Sequence, residues 1–178
     1  LQAAHTPNLD RLARLGGNGL YHPGRLGEPF PSESAHFALF GYPQVLFPGR
    51  GPLEALGAGI ELAGGEVAVL AHFVSAENRD GRMFVRRDRP EEVEEGEVQA
   101  LFDQAAGFEH RGVEISLHRT TGLFGVLVLR GGVSPHITDS NPMRDMAQAS
   151  DVVACTEAVD SVRAEATAKA LRTYLRRT

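Results

Sequence analysis

Apolar residues recur in two rhythms along this chain, and the rhythms predict its elements. Leu9, Leu12, Ala13 and Leu15 keep the spacing of one helical face, with Thr6 as a cap, Pro7 at the first helical position and Gly16-Gly17 as the stop. Gly and Pro crowd the stretch from Tyr21 to Pro31, which predicts an irregular loop. A short helix follows from Ser32, with Ser32 as its N-cap, closed by Gly41 and Pro43. Pro52 then opens another brief helix through Leu56, before the break at Gly57-Ala58-Gly59.

From Glu66 the rhythm shortens. Val67 to Val74 reads as a strand, Asp80-Gly81 as a tight turn, and Arg82 to Arg86 as that strand's hairpin partner. Pro90 opens an acidic helix from Glu91 to about Ala106, whose Val93, Val98, Leu101, Phe102 and Ala105 share an inward face. Gly112 to His118 and Leu123 to Leu129 form a second strand pair around Thr120-Thr121-Gly122. The order β-β-α-β-β describes an α+β module with a largely antiparallel sheet. A last helix runs from Glu157 to about Arg176, with Val159, Val162, Ala166, Ala170 and Tyr174 as its apolar stripe.

Composition narrows the class. The 178 residues suffice for one sizeable core, or a small domain plus part of another. A net charge of -5 and a pI near 5.8 argue against a general nucleic-acid binder, while leaving arginine clusters free to hold small phosphorylated molecules. No apolar run reaches the roughly 20 residues that span a bilayer. The single cysteine, Cys155, lies in an apolar run and reads as a buried structural thiol, which fits a reducing, cytoplasmic setting.

Candidate chemistry centres on Pro31-Ser32-Glu33-Ser34-Ala35-His36, where a polar cluster runs into an apolar helix. The first amides of a helix lack intrahelical partners and face a positive dipole end, so an anion near Ser32 is favoured. Arg50 sits among small residues in Gly49-Arg50-Gly51-Pro52, and Arg79, Arg82, Arg86, Arg87 and Arg89 crowd the hairpin and its exit. Guanidinium groups suit carboxylate and phosphate. The same arginines can instead lie in solvent, paired with neighbouring glutamates for little net energy. His136 and Asp139 offer a metal-like spacing, but the flanking Ser140-Asn141-Pro142 reads as a turn. His5, His22, His72, His110 and His118 lack ligand-like partners at a convincing spacing.

Three segments together, Thr6-Pro7-Asn8-Leu9-Asp10, Ser32-Glu33-Ser34-Ala35-His36 and Pro48-Gly49-Arg50-Gly51-Pro52, resemble the archaeal-type cofactor-independent phosphoglycerate mutases of the alkaline phosphatase superfamily. The resemblance implies an α/β partial phosphatase-type core over 1–59, carrying the nucleophile motif. It implies an α+β substrate-binding cap over 60–155, and a helix over 156–178 that returns toward the core. Ser32 matches the phosphorylated nucleophile and is also a metal ligand in that pattern, and His36 matches the motif's histidine one turn on. Arg50, Arg86, Arg87 and Arg89 become substrate-binding candidates for a small phosphorylated molecule. Two divalent ions, manganese or similar, are implied for the full-length enzyme, their other ligands lying outside these residues. The chain reads as a fragment, inactive alone, of an enzyme interconverting 3- and 2-phosphoglycerate through phosphoserine. Three positions depart from the pattern: Phe124 stands in place of an arginine, Met143 in place of a histidine, and Glu33 in place of an aspartate. The first two keep open a phosphohydrolase, a mutase for another metabolite, or a non-catalytic anion-binding module.

Overall fold

The computed structural model describes residues 4–22, 24, 27, 31–86, 93–142 and 144–178. They divide into two compact units, Leu1–Phe47 and Pro48–Thr178.

The first unit is built from local interactions. Helix α1 (Pro7–Leu15) starts where Thr6 and Pro7 predict, with the Asp10 amide donating to the Thr6 carbonyl at 2.9 Å and the Thr6 hydroxyl to Asp10 Oδ1 at 3.1 Å. Its predicted apolar face is present, yet Leu9, Leu12 and Leu15 are all exposed. Helix α2 (Ser32–Leu39) corrects the predicted cap: Pro31 holds that position and Ser32 is the first helical residue. The physical reason lies in the Pro31 backbone, extended at ψ 150°, whose carbonyl accepts the first helical bond from the Ala35 amide at 2.9 Å. The chain turns at Gly41, and a short 3₁₀ turn (Gln44–Leu46) is tied back by the Gln44 side-chain amide donating to the Ser34 carbonyl at 2.6 Å. Phe37 packs against Tyr42 and Phe47, with ring centroids 4.9 and 5.5 Å apart.

The second unit contains the core. Helix α3 (Arg50–Gly57) begins before Pro52, which falls inside the first turn, where a missing N–H costs no helical bond. Then come β1 (Val67–His72), β2 (Ser75–Arg79), β3 (Arg82–Arg86), α4 (Glu95–Ala105), β4 (Gly107–His110), β5 (Val113–Thr121), β6 (Phe124–Arg130), β7 (Ala147–Gln148) and α5 (Ser161–Arg177). Two sheets result, in the orders β1-β6-β5-β4 and β2-β3-β7, and every pairing among these strands is antiparallel.

This topology corrects the first predicted hairpin. Asp80-Gly81 is indeed its turn, with φ of 51° and 77°, but β3 pairs with β2, while β1 pairs with β6 more than fifty residues away. Val67 to Val74 is therefore not the hairpin's strand. The apolar β1 belongs in the main sheet, and the polar Ser75–Arg79, exposed throughout, is the hairpin arm. The second predicted pair holds as β5 and β6, and β4 extends it through a turn at Arg111-Gly112.

Register assigns the two faces of the main sheet. One carries Val67, Val113, Ile115, Leu127 and Leu129 against Ala168, Leu171 and Tyr174 of α5. Val98 and Phe102 of α4 pack with Leu123 in an adjoining cluster. The opposite face places Ala68, Val126 and Val128 under Ala55 of α3. Gly51 allows that approach, since a Cβ there would stand 2.1 Å from the Ala68 carbonyl oxygen. The stripe predicted for α5 is out of phase at its start. Val159 and Val162 are exposed, and the buried set is Ala164, Thr167, Ala168, Ala170, Leu171 and Tyr174. Polar bonds set that phase: the Ser134 hydroxyl donates to Asp160 Oδ1 at 2.7 Å, and the Ser134 amide to the Thr167 hydroxyl at 2.9 Å. Cys155, expected to be buried, is half-exposed because only Val152 of its apolar run enters the core. Among the described residues no helix is long and apolar enough to cross a membrane.

Candidate active site

Two serines stand two positions apart on α2, and the structure gives them different roles. Ser34 is buried and its hydroxyl donates to the Pro31 carbonyl at 3.1 Å, which secures the entry to the helix. Ser32 is exposed, and among the described residues its hydroxyl has no hydrogen-bond partner. Because the first helical bond comes from the Ala35 amide, the N–H groups of Ser32, Glu33 and Ser34 precede the intrahelical ladder. An exposed hydroxyl beside these amides can approach an anion that the amides attract.

His36 lies one turn from Ser32. Its Nδ1 is 2.6 Å from the Ser32 carbonyl oxygen, and a carbonyl only accepts, so Nδ1 carries the proton. That bond leaves Nε2 as an acceptor in the neutral ring and a donor in the protonated one.

The arginine candidates fall in the second unit. Arg50 is the first residue of α3, exposed, directly after Gly49 at φ 95°. Strand register puts Ser75, Glu77, Arg79, Arg82, Phe84 and Arg86 on one face of the β2-β3 hairpin. Arg79 is held there structurally: it reaches Glu77 at 2.6 Å and lies over the Phe84 ring at 5.1 Å. Among the described residues, Arg82 and Arg86 of that face are in no ion pair. Arg87 and Arg89, with the predicted start of the acidic helix at Glu91, lie outside the described residues, as does Met143.

Two ion pairs on the main sheet are explained by structure alone. Arg119 makes a bidentate pair with Glu95 of α4 at 2.5 and 2.8 Å, which lowers the Glu95 pKa and raises that of Arg119 through the side-chain hydrogen bond. Arg130 pairs with Glu66, whose pKa is lowered by that hydrogen bond first and by the Ala63 amide second. Burial of Tyr174, whose hydroxyl donates to the Ala105 carbonyl at 2.8 Å, pushes its pKa up to about 12, against a smaller lowering by Arg177.

The same geometry bears on metal ligation. Among the described residues there is no group of three or more His, Cys, Asp or Glu side chains placed to hold an ion. Ser32 contributes one oxygen, and one oxygen is not a ligand set, so the described residues by themselves do not fit a metal centre. An open cleft of about 460 Å³ on the second unit is lined by Glu109, Glu114, Ser116, Arg130 and Arg177 among others, a mixed-charge wall that includes none of the predicted site residues.

Sequence spacing set His72 and His118 aside, yet both take defined positions. The His72 ring stacks on Phe124 with centroids 4.1 Å apart and planes 4° from parallel. His118 Nε2 lies 3.1 Å from the Ser116 hydroxyl. Their strand alternation was the available signal, since it puts each histidine on a definite face.

Comparison with known proteins gives the chain its relatives. The family described as 2,3-bisphosphoglycerate-independent phosphoglycerate mutase matches residues 13–178. A protein of that name from Methanopyrus kandleri is 45% identical over 147 residues, covering 81% of this chain and 35% of its own length. The 2,3-bisphosphoglycerate-independent phosphoglycerate mutase 1 of Methanocaldococcus jannaschii is 34% identical, covering 99% of this chain and 42% of its own length. The solved structure of the cofactor-independent phosphoglycerate mutase from Thermoplasma acidophilum has a TM-score of 0.59 at 32% identity, and the match covers 99% of this chain and 44% of that one. The chain thus spans less than half the length of these relatives.

Proposed function

The chain belongs to the 2,3-bisphosphoglycerate-independent phosphoglycerate mutase family, and on that premise we propose that it carries the nucleophile and part of the substrate-binding surface of an enzyme that interconverts 3- and 2-phosphoglycerate. The observation that supports this most is the contrast on α2: Ser34 is committed to the helix, whereas Ser32 is exposed beside the leading amides.

In this reading Ser32 Oγ attacks phosphorus, the bond from phosphorus to the 3-oxygen of the substrate breaks, and the serine proton ends on that oxygen. Glycerate then reorients, its 2-hydroxyl attacks the phosphoserine, and the proton of that hydroxyl returns to Ser32. The leading amides of α2 hold the phosphoryl oxygens. His36, fixed by its bond to the Ser32 carbonyl, offers Nε2 to a substrate hydroxyl, or to phosphate once protonated. Arg50 and Arg86, with Arg87 and Arg89, bind the carboxylate and the phosphoryl group of the substrate. Two divalent ions, manganese or similar, would sharpen the nucleophile and neutralise phosphoryl charge. Ser32 would be one ligand and the others belong to polypeptide beyond these residues.

We further assign residues 1–59 to a partial phosphatase-type core, 60–155 to an α+β substrate cap, and 156–178 to a helix returning toward the core. The family resemblance supports that division, and the antiparallel sheets are compatible with an α+β cap. The contact boundary falls earlier because α3 packs on β1 and β6.

Phosphorus NMR tests the proposal, using the protein at the length of its relatives with manganese and 3-phosphoglycerate, beside Ser32→Ala. The expected result is 2-phosphoglycerate, abolished by the substitution. The exposure of Ser32 favours one other reading, a phosphohydrolase, because water reaches an exposed phosphoserine. Inorganic phosphate as the sole product would establish that alternative. No turnover by either protein would defeat both.

A further inference from the structure

Helix α2 has two opposed sides. At its regular pitch Ser32 and His36 stand about 40° apart on one side, and Ser34 and Ala38 lie roughly 180° to 220° round the helix from them. Exposure follows that division: Ser32 and His36 are exposed, Ser34 is buried and Ala38 is half-buried. On the far side, each of these two carbonyls accepts a bond from a side chain elsewhere in the first unit. The Gln44 amide donates to the Ser34 carbonyl at 2.6 Å, and the Tyr21 hydroxyl to the Ala38 carbonyl at 3.0 Å. The two contacts are one turn apart along the helix, so together they restrain its tilt as well as its position.

Gln44 is itself held. Gly41 turns the chain at φ 84°, and the 3₁₀ turn that carries Gln44 closes through the Leu46 amide on the Pro43 carbonyl at 2.9 Å and the Phe47 amide on the Gln44 carbonyl at 3.0 Å. Phe37 of α2 packs on Tyr42 and Phe47, which flank that turn. A side chain carried on such a turn has less freedom to lose in making its bond than a glutamine on an open surface. Apolar cover supplies little of the restraint, since Leu39, Phe40, Val45 and Leu46 are exposed. The helix that carries the proposed nucleophile is thus oriented by hydrogen bonds from behind, with its Ser32 side left open.

We infer that Gln44 is a positioning residue for Ser32 and that Tyr21 supports it. Acting through the Ser34 and Ala38 carbonyls, they fix the direction in which the Ser32 hydroxyl and the leading amides meet the phosphoryl group. This rests on the mutase reading above. Phosphoryl transfer needs the attacking and leaving oxygens roughly in line, and a misplacement of about 1 Å costs about a hundredfold in rate. Ground-state binding is less demanding, so the loss falls on kcat and not on KM.

Steady-state kinetics of the protein at the length of its relatives test this, with manganese and 3-phosphoglycerate, on Ser32→Ala, Gln44→Glu, Gln44→Lys and Tyr21→Phe. Gln44→Glu keeps the size of the side chain, removes its N–H and sets a carboxylate oxygen against the Ser34 carbonyl. Its kcat should fall about 10–100-fold, with KM within about twofold of the parent value. Gln44→Lys restores a donor on a longer stem and should recover most of that loss. Tyr21→Phe should lower kcat only about threefold, because the Ala38 carbonyl keeps the Gly41 amide at 2.9 Å. Amide exchange at Ala35 to Leu39 separates position from folding: Gln44→Glu should speed it by under about tenfold. Exchange at the rate of an unstructured chain would show that α2 has melted, and would overturn the inference. Parent-like kcat in Gln44→Glu, or a rise in KM alone, would overturn it too, and with Ser32→Ala inactive the mutase reading would stand. Turnover by Ser32→Ala, or none by the parent, defeats that reading and the inference with it.

Discussion

The two units of this chain hold themselves together by different means. In residues 48–178 two faces of one sheet are covered by helices, and Leu129 at its centre is fully buried. In the first 47 residues Leu12 is 67% exposed, and Ser34 is the one buried residue among the described residues of that unit. Non-local burial therefore stabilises the second unit, whereas caps, turns and side-chain to backbone bonds shape the first. The proposed nucleophile sits in the unit with the smaller core. Its geometry rests on a few hydrogen bonds, those of Ser34, His36 and Gln44, so the chemistry-bearing helix should respond to substitutions that barely register in global stability.

The strongest challenge to this contrast is a matched pair of truncations. Leu129→Ala should cost about 2–5 kcal/mol in urea unfolding, and Leu12→Ala under about 0.5 kcal/mol. Equal losses would show that α1 shares a core after all. Gly51→Ala comes next: its methyl would collide with the Ala68 carbonyl, so α3 must lift from the sheet at a cost of about 1–3 kcal/mol, read from the same curves.

Tyr174 sharpens the picture of the second unit. Replacing it with Phe removes the bond to the Ala105 carbonyl, at a cost of about 0.5–1.5 kcal/mol. Its pKa is raised in the fold, so the unfolded chain loses that proton first as pH rises. The contribution is complete below the ordinary value of 10.0 and disappears as pH climbs to about 12. Thermal melts of Tyr174→Phe should decline less steeply over that range than those of the parent chain.

Within the first unit, Ser34→Ala should destabilise α2 by about 1 kcal/mol, and Ser32→Ala should leave it unchanged. Amide exchange of Ala35 to Leu39 would measure both, and equal exchange rates would dissolve the distinction between the serines. The smallest effect belongs to Glu95→Gln. Its carboxyl is pulled below the ordinary value near 4.5 by Arg119, so any contribution is present above that pH and is lost as pH falls, but the pair faces solvent and salt should hide it. A large salt-resistant loss in thermal melts would show that the pair pins α4 to the sheet.

How much of the molecule is legible in its sequence depends on how far the cause lies along the chain. Pro7 and Gly16 bracket α1 where they stand, Asp80-Gly81 turns the chain because a tight two-residue hairpin turn needs φ above zero at both positions, and the motif around Ser32 announces its helix within a few residues and, together with the segments at Thr6 and Pro48, its family. Sterics and short-range hydrogen bonding act between neighbours, so neighbours reveal them. Other features wait for the fold. That β1 pairs with β6 and leaves β3 to β2, that α5 turns Thr167 inward and Val162 outward, and that His72 and His118 share a face are settled by burial and register between distant segments. Composition permits several such pairings with similar local energies. The one that covers the most apolar surface and satisfies polar groups such as Ser134 prevails, and that comparison exists only once the whole sheet has assembled.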